Sequence, residues 1–225
     1  MKPFIEAIEY KGIEALRLNG PRGSSAVVAR LGGQVLSWMT PDGRERLFLS
    51  ERAVFDGSVP IRGGIPICFP QFGGLGDLPK HGFARTREWS VAAQRCGDDY
   101  ALATLELVDD EDTRALWPHA FRAEITVMLE VDRIDVEFCV ENTGAAISLY
   151  QRMPQLVSMN PVKQAVPSRN TLTVTFTPDW SSSFCTGPDT TTDLRALIAA
   201  RRKEAWTSLI MWRPTSSSSV TWWSR

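Results

Sequence analysis

Two stretches in the middle of the chain, at 122–130 and 133–141, alternate between apolar and polar residues almost without a break. Strict alternation places the apolar side chains on one face of a strand and the polar side chains on the other. Only Val131 and Asp132 separate the two stretches, which leaves room for a tight connection. The pattern predicts an antiparallel hairpin with one face on the core and one face in water.

Apolar runs on the N-terminal side of this hairpin predict further strands, at 26–31, 34–39, 46–50 and 100–108. Gly32-Gly33 and Pro41-Asp42-Gly43 separate the first three runs. These residues favour turns because proline fixes φ and glycine tolerates a positive φ. Helical periodicity is scarce before 192–205. We therefore predict an all-β fold, either a sandwich or a large barrel.

The composition changes abruptly near residue 145. Residues 1–144 hold 15 of the 16 glycines, with 16 basic and 22 acidic residues. Residues 145–225 hold one glycine, with 9 basic and 4 acidic residues and 23 serines and threonines. A β domain needs glycine at turns and bulges, so we do not expect the same architecture to continue. We predict a β-sandwich portion, 1–149, and a divergent, poorly ordered tail, 150–225, in which 172–177 still has a strand pattern.

Charge and cysteine usage narrow the classes of function. The chain of 225 residues has a formal net charge of −1, which argues against a nucleic-acid or membrane-surface partner. No apolar run is long enough to span a membrane, and the N-terminus carries two glutamates where a signal peptide is apolar. The four cysteines are far apart and form no CxxC pair. We expect a cytoplasmic protein with reduced thiols and no bound metal.

The segment 60–85 holds six glycines and four prolines in 26 residues, together with Arg62, Lys80, His81 and Arg85. So many rigid and permissive backbone positions predict a precisely folded surface loop system, and loops on a β scaffold often carry function. A winding connection with solvated arginines is the alternative interpretation. A phosphate-cradling glycine loop is less consistent with the sequence, because neither GxxxxGK[ST] nor a strand-GxGxxG-helix pattern occurs.

Three motifs in and after this segment resemble one known family. They are Arg62-Gly-Gly-Ile-Pro-Ile-Cys-Phe-Pro-Gln-Phe-Gly, Pro79-Lys-His-Gly-Phe-Ala-Arg and Arg87-Glu-Trp. Together they are similar to the hexose-6-phosphate mutarotase (glucose-6-phosphate 1-epimerase) branch of the aldose 1-epimerase superfamily. Flanking matches extend the resemblance to about residues 20–145, and a motif of several parts is more specific than any single short pattern.

The resemblance implies a galactose-mutarotase-like β-supersandwich that is incomplete after about residue 145. It also implies a reaction, the interconversion of the α and β anomers of a hexose 6-phosphate. One group protonates the ring oxygen while another takes the proton of the anomeric hydroxyl, and the ring opens. This chemistry needs no cofactor, and we expect a monomer whose partner is the sugar phosphate alone.

The resemblance also assigns residues to the site. Arg62 and Arg85 match the substrate-binding arginines of the family, and guanidinium groups fit phosphate oxygens because their paired N–H donors are planar. Lys80 stands where relatives commonly have a substrate-binding glutamine. Lysine can contact phosphate as a point charge but cannot accept a hydrogen bond from a hydroxyl. His81 matches an active-site histidine and is the candidate catalytic residue.

Two catalytic residues of the family have no counterpart in the sequence. Relatives carry a second histidine after the Asn-Thr-Gly turn and a glutamate near the C-terminus, whereas this chain has only His81 and His119. We interpret His119 as structural. A shifted reading frame, a misread splice junction or genuine divergence would each explain the mismatch. Three hypotheses stay open: a mutarotase with impaired activity, a non-catalytic sugar-phosphate binding module, and a defective gene product.

Overall fold

The structure is a computed structural model, and it describes residues 2–74 and 76–144 with their side chains. Beyond residue 144 it describes the backbone of four strands, at 149–151, 163–165, 169–176 and 182–188. All these residues lie within one compact unit, Met1–Asp189, and a second unit, Thr190–Arg225, lies outside the described residues. The predicted division at 149/150 and the predicted poor order of the tail therefore stay predictions.

In chain order the described residues form strands β1 (Phe4–Tyr10), β2 (Ile13–Asn19), β3 (Ser25–Ala29), β4 (Val35–Met39), β5 (Ser90–Cys96), β6 (Ala101–Val108), β7 (Phe121–Leu129), β8 (Ile134–Asn142), β9 (Leu149–Gln151), β10 (Lys163–Ala165), β11 (Arg169–Phe176) and β12 (Ser182–Pro188). One short helix, α1 (Glu111–Leu116), joins β6 to β7, and short 3-10 turns occur at Pro21–Gly23 and Ala84–Thr86. The all-β prediction is confirmed.

Two antiparallel sheets pack face to face. The first has the order β1-β2-β3-β4, and the second has the order β12-β11-β8-β7-β6-β5, while β9 pairs only with β10 among the described strands. Strands β2 and β3 contact β6 and β7 across the interface between the sheets. Apolar side chains from the facing surfaces form one common core, as expected for a sandwich.

The hairpin predicted from strict alternation is β7–β8, with Leu129 opposite Ile134 next to the turn. Its predicted wet face is only partly wet, because Asp135 and Cys139 are buried. In the sheet, β8 has β7 on one side and β11 on the other. The buried carboxylate of Asp135 pairs with the Arg133 guanidinium, with 3.2 Å between Oδ2 and Nε, so its charge is compensated.

The segment 60–85 does not lie on the surface along its whole length, which corrects the predicted surface loop system. Ile61, Ile65, Ile67 and Phe69 are all buried. The ring of Phe69 lies at centroid distances of 5.0 to 6.2 Å from four other aromatic rings, those of Phe83, Trp117, Phe121 and Phe138. Several side chains of the segment are therefore buried in the main core, and only parts of the segment reach solvent.

A second, smaller core lies on the other face of the first sheet. Val27, Ala29 and Leu36 of this sheet pack there with Ile61, and Leu49 lies against them at the edge of the cluster. The first sheet is thus apolar on both faces, which explains why β3 reads as an unbroken apolar run rather than an alternating strand.

Helix α1 begins at a capping box. The Asp110 carboxylate accepts a hydrogen bond from the Thr113 backbone N–H at 2.6 Å, and the Thr113 hydroxyl accepts one from the Asp110 backbone N–H at 2.7 Å. The hydrogen bond from the Thr113 backbone N–H to the carboxylate lowers the pKa of Asp110. Among the described residues no helix is both long and apolar enough to cross a membrane.

We expect Phe69→Ala to lower the free energy of unfolding by about 3–5 kcal/mol, because it leaves a cavity among four rings. The matched control is Phe48→Ala, since Phe48 is 75% exposed. That control should change the free energy of unfolding by less than about 0.5 kcal/mol. Urea denaturation of both variants measures the difference, and equal losses would contradict the assignment of Phe69 to the core.

Candidate functional site

Arg62 lies on a loop whose backbone is fixed from three sides. The buried Gln34 side chain donates through Nε2 to the carbonyls of Ile61 and Gly63. The Gly64 N–H donates to the Phe48 carbonyl at 2.7 Å. Gly64 has a φ of +59°, and a Cβ there would lie 2.2 Å from the Val35 carbonyl oxygen, so only glycine fits. The loop holds its backbone rigidly while the Arg62 side chain stays exposed.

Gln71 holds the next part of the segment through contacts with Gly73, Leu78 and Pro79. It is 5% exposed, and its Nε2 lies 2.9 Å from the Leu78 carbonyl oxygen, 3.3 Å from that of Gly73 and 3.4 Å from that of Pro79. The Leu78 N–H donates to Oε1 at 3.3 Å. Gln71 thus replaces the hydrogen bonds that a regular turn would make. Sequence reasoning missed this residue, and its only signal was a polar side chain between Pro70 and Phe72.

His81 follows this turn in a left-handed conformation, with a φ of +69°. Its backbone N–H donates to the Gly73 carbonyl at 2.8 Å. Its imidazole Nδ1 accepts a hydrogen bond from the Gly73 N–H at 3.1 Å. Because Nδ1 is an acceptor, the proton of the neutral ring is on Nε2, which makes Nε2 a hydrogen-bond donor. The edge of the ring also meets Phe72 at a centroid distance of 5.1 Å.

The charge around His81 keeps its imidazole neutral. Burial lowers the pKa of His81, and the positive charges of Arg85 and Lys80 lower it further. Protonation of Nδ1 would also break its hydrogen bond with the Gly73 N–H. The geometry and the electrostatics therefore favour the same form, a neutral ring with its proton on Nε2.

Arg85 sits in the turn Ala84–Thr86, close to Lys80 and His81. Its Nη2 donates to the backbone carbonyl of Lys80 at 2.5 Å. Its Nε is buried and makes no hydrogen bond within the described part of the chain. Burial raises the pKa of the Cys68 thiol to about 12, against the opposing charge of Arg85, so the thiol stays neutral and supplies no counter-charge. Lys80, His81 and Arg85 together therefore carry an excess of positive charge, which favours an anionic ligand.

The turn that carries Arg85 is supported from behind by Trp89 and Gly32. The Trp89 indole N–H donates to the Ala84 carbonyl at 3.0 Å, and its side chain is fully buried. The Gly32 N–H donates to the Arg87 carbonyl at 2.8 Å, and a Cβ on Gly32 would lie 2.8 Å from the Arg85 carbonyl oxygen. These contacts fix the backbone of the turn from which the Arg85 side chain extends.

The structure therefore brings together three of the four predicted site residues, Lys80, His81 and Arg85, and places Arg62 on a separate loop. His119 packs edge-to-face against Trp117 at a centroid distance of 4.6 Å. In the described ranges no cluster of three or more His, Cys, Asp or Glu residues could hold a metal ion. The described site presents hydrogen-bond donors, so its chemistry is suited to binding phosphate or sugar oxygens.

The aldose 1-epimerase family matches residues 14–150 of the chain. A protein of Cenchrus ciliaris named “Putative glucose-6-phosphate 1-epimerase” is 42% identical over 134 residues, which cover 56% of this chain and 40% of that protein. A protein of the same name from Salmonella typhimurium is 42% identical over 123 residues, which cover 54% of this chain and 42% of that protein. The chain thus spans about two fifths of the length of these relatives.

Two solved structures share the fold. A galactose mutarotase-like protein from Clostridium acetobutylicum has a TM-score of 0.58 at 16% identity, covering 77% of this chain and 54% of that one. The Slr1438 protein from Synechocystis has a TM-score of 0.52 at 24% identity, and the match covers 78% of this chain and 55% of that one. The predicted galactose-mutarotase-like fold is confirmed, and the predicted family resemblance is confirmed by the sequence matches.

Gly82→Ala should destabilise the protein much more than Gly12→Ala. Both glycines have a positive φ, which costs a non-glycine residue about 1–2 kcal/mol. A Cβ on Gly82 would in addition lie 2.0 Å from the Phe69 carbonyl oxygen, whereas a Cβ on Gly12 meets nothing within 4 Å. Urea denaturation of the two variants measures the gap. Equal losses would show that the contact between the segment and the core is not tight.

The pKa of His81 should lie below the ordinary value of about 6.5. A ¹H–¹³C NMR titration can measure it directly, because the chain has only two histidines and His119→Gln identifies the remaining signal. Arg85→Ala should raise the pKa of His81, since it removes a nearby positive charge. Arg95→Ala, at an exposed position on β5, should leave it unchanged. A pKa that does not respond to Arg85→Ala would contradict the proposed cluster.

The lowered pKa of His81 also determines whether the free energy of unfolding rises or falls with pH. The unfolded chain takes up the proton of His81 more readily than the folded chain, because the folded pKa is the lower one. The neutral ring therefore stabilises the fold above a pH of about 6.5, and this contribution is lost as the pH falls through the folded pKa.

Proposed function

The chain belongs to the aldose 1-epimerase family, and we propose that it carries the substrate-binding part of a hexose-6-phosphate 1-epimerase site. The observation that carries this proposal is that Lys80, His81 and Arg85 lie close together in the region that matches the family. The names of the relatives favour glucose 6-phosphate as the substrate. Monomeric state and cytoplasmic location remain part of the proposal, on the evidence of the sequence.

Phosphate recognition is the role we propose for the basic residues. The Arg85 guanidinium is already fixed by its hydrogen bond to the Lys80 carbonyl, so little side-chain entropy is lost when it binds an anion. The Lys80 ammonium is exposed and adds a mobile point charge. Arg62, exposed on a loop that β4 and residues 48–50 fix, provides a second guanidinium. Charge-assisted pairs of this kind are among the stronger hydrogen bonds in proteins.

We assign to His81 the contact with a sugar oxygen. In its neutral form Nε2–H donates a hydrogen bond, and the lowered pKa makes its protonated form a stronger acid toward the ring oxygen. Ring opening also needs a group that accepts the proton of the anomeric hydroxyl. The only other histidine of the sequence, His119, packs edge-to-face against Trp117. A non-catalytic sugar-phosphate binding module is therefore the second candidate function.

Arg85→Ala should weaken the binding of glucose 6-phosphate about tenfold or more, since it removes a charge-assisted hydrogen bond worth about 1.5–3 kcal/mol. The exposed arginine of β5 gives the control, Arg95→Ala, which should bind as the wild type does. Isothermal titration calorimetry measures both. Equal affinities in the two variants would refute the phosphate assignment.

An assay of anomer exchange separates the two candidate functions. Freshly dissolved α-glucose 6-phosphate equilibrates with its β anomer, and polarimetry follows the rate with and without the protein. Acceleration that is lost in both His81→Gln and Arg85→Ala would support a catalyst. Binding of the sugar phosphate without acceleration would support the binding module.

A further inference from the structure

Phe48 exposes 75% of its surface beside Arg62, although the residues around it pack inward. The two side chains lie on short antiparallel segments that are joined at a bridge between Leu49 and Gly63. The Gly64 N–H donates to the Phe48 carbonyl at 2.7 Å, and the Ser50 N–H donates to the Arg62 carbonyl at 3.0 Å. Phe48 and Arg62 therefore occupy diagonal positions across this pairing.

Phe48 and Arg62 are both exposed at this pairing. Leu49 and Ile61 instead pack into the smaller core beneath the first sheet, so the two exposed side chains lie away from that core. Diagonal neighbours of this kind lie about 7–8 Å apart, within reach of aromatic and long side chains.

The partner segment has no side chain at the two positions nearest Phe48. Gly64 stands directly opposite Phe48, and the carbonyl of Val35 leaves no room for a Cβ there. Gly63 is constrained in the same way, because a Cβ would lie 2.5 Å from the Phe48 carbonyl oxygen. The residue that precedes these two glycines is Arg62.

We propose that Phe48 is a sugar-contacting residue, whose ring packs on the apolar C–H face of a hexose ring while Arg62 binds the phosphate of the same molecule. This inference rests on the proposed function, in which Arg62 binds substrate. The apolar face of a pyranose and the face of a phenyl ring both lose unfavourable contact with water when they pack together. The ring selects for a cyclic sugar, whereas the guanidinium recognises any phosphate monoester.

The test compares a cyclic sugar phosphate with its reduced, open-chain form. Glucose 6-phosphate forms a pyranose ring, and glucitol 6-phosphate, its reduced form, stays open. Phe48→Ala should weaken the binding of glucose 6-phosphate about tenfold. It should leave the affinity for glucitol 6-phosphate nearly unchanged. Phe48→Tyr keeps an aromatic face and should restore the wild-type preference.

Two further variants make the result specific. Arg62→Ala should weaken both ligands equally, because both carry the phosphate. Phe4→Ala removes another partly exposed phenyl ring, on β1, and should change neither affinity. Unchanged binding of glucose 6-phosphate by Phe48→Ala would overturn the inference, and so would an equal loss for both ligands.

Failure of the inference and failure of the proposed function give different results. If the wild-type chain binds neither ligand, the proposed function is wrong and the role of Phe48 falls with it. If the wild-type chain binds both ligands and responds to Arg62→Ala and Arg85→Ala but not to Phe48→Ala, only the inference about the sugar contact is wrong.

Discussion

The site depends on the way in which Phe69 joins the segment 60–85 to the core. Its ring lies among four aromatic rings between the two sheets, and its carbonyl accepts hydrogen bonds from the N–H groups of Phe83 and Ala84 at 3.0 and 3.2 Å. One residue thus holds the chain before Lys80 and His81 and the chain after them at the same point of the core. Because a packed interior resists displacement, the position of Arg85 follows from the position of the core.

The same constraint explains the density of glycine in the segment. The backbone of the segment makes a close backbone contact at two places, Gly64 with Val35 and Gly82 with Phe69. In both places a Cβ on the glycine would collide with a carbonyl oxygen. These glycines provide close approach between a loop and the sandwich, which a flexible surface loop does not require. Gln71 completes the arrangement, since its buried amide satisfies carbonyls that no strand reaches.

Much of the fold could be predicted from local patterns, and much of the site could not. Strict alternation predicted β7 and β8, and the pattern at 172–177 corresponds to β11. The motifs predicted the family and singled out Lys80, His81 and Arg85. The burial of Phe69, the amide contacts of Gln71 and the tautomer of His81 depend on partners several residues or a whole sheet away, and no periodicity encodes them. The partial burial of the β8 polar face was missed because alternation does not tell what covers a face.

The charged side chains of the described site are all positive, and this limits the chemistry that the site can perform by itself. Burial lowers the pKa of His81, and the cations Arg85 and Lys80 lower it further, so the histidine between them is a neutral donor. Cys68 stays protonated at its raised pKa and adds no negative charge. Such a site gains binding energy from an anion and orients it, whereas proton abstraction from a sugar hydroxyl needs an acceptor. A phosphate bound near His81 would itself change this balance, because its negative charge raises the pKa of an adjacent imidazole and brings the protonated acid nearer to neutral pH.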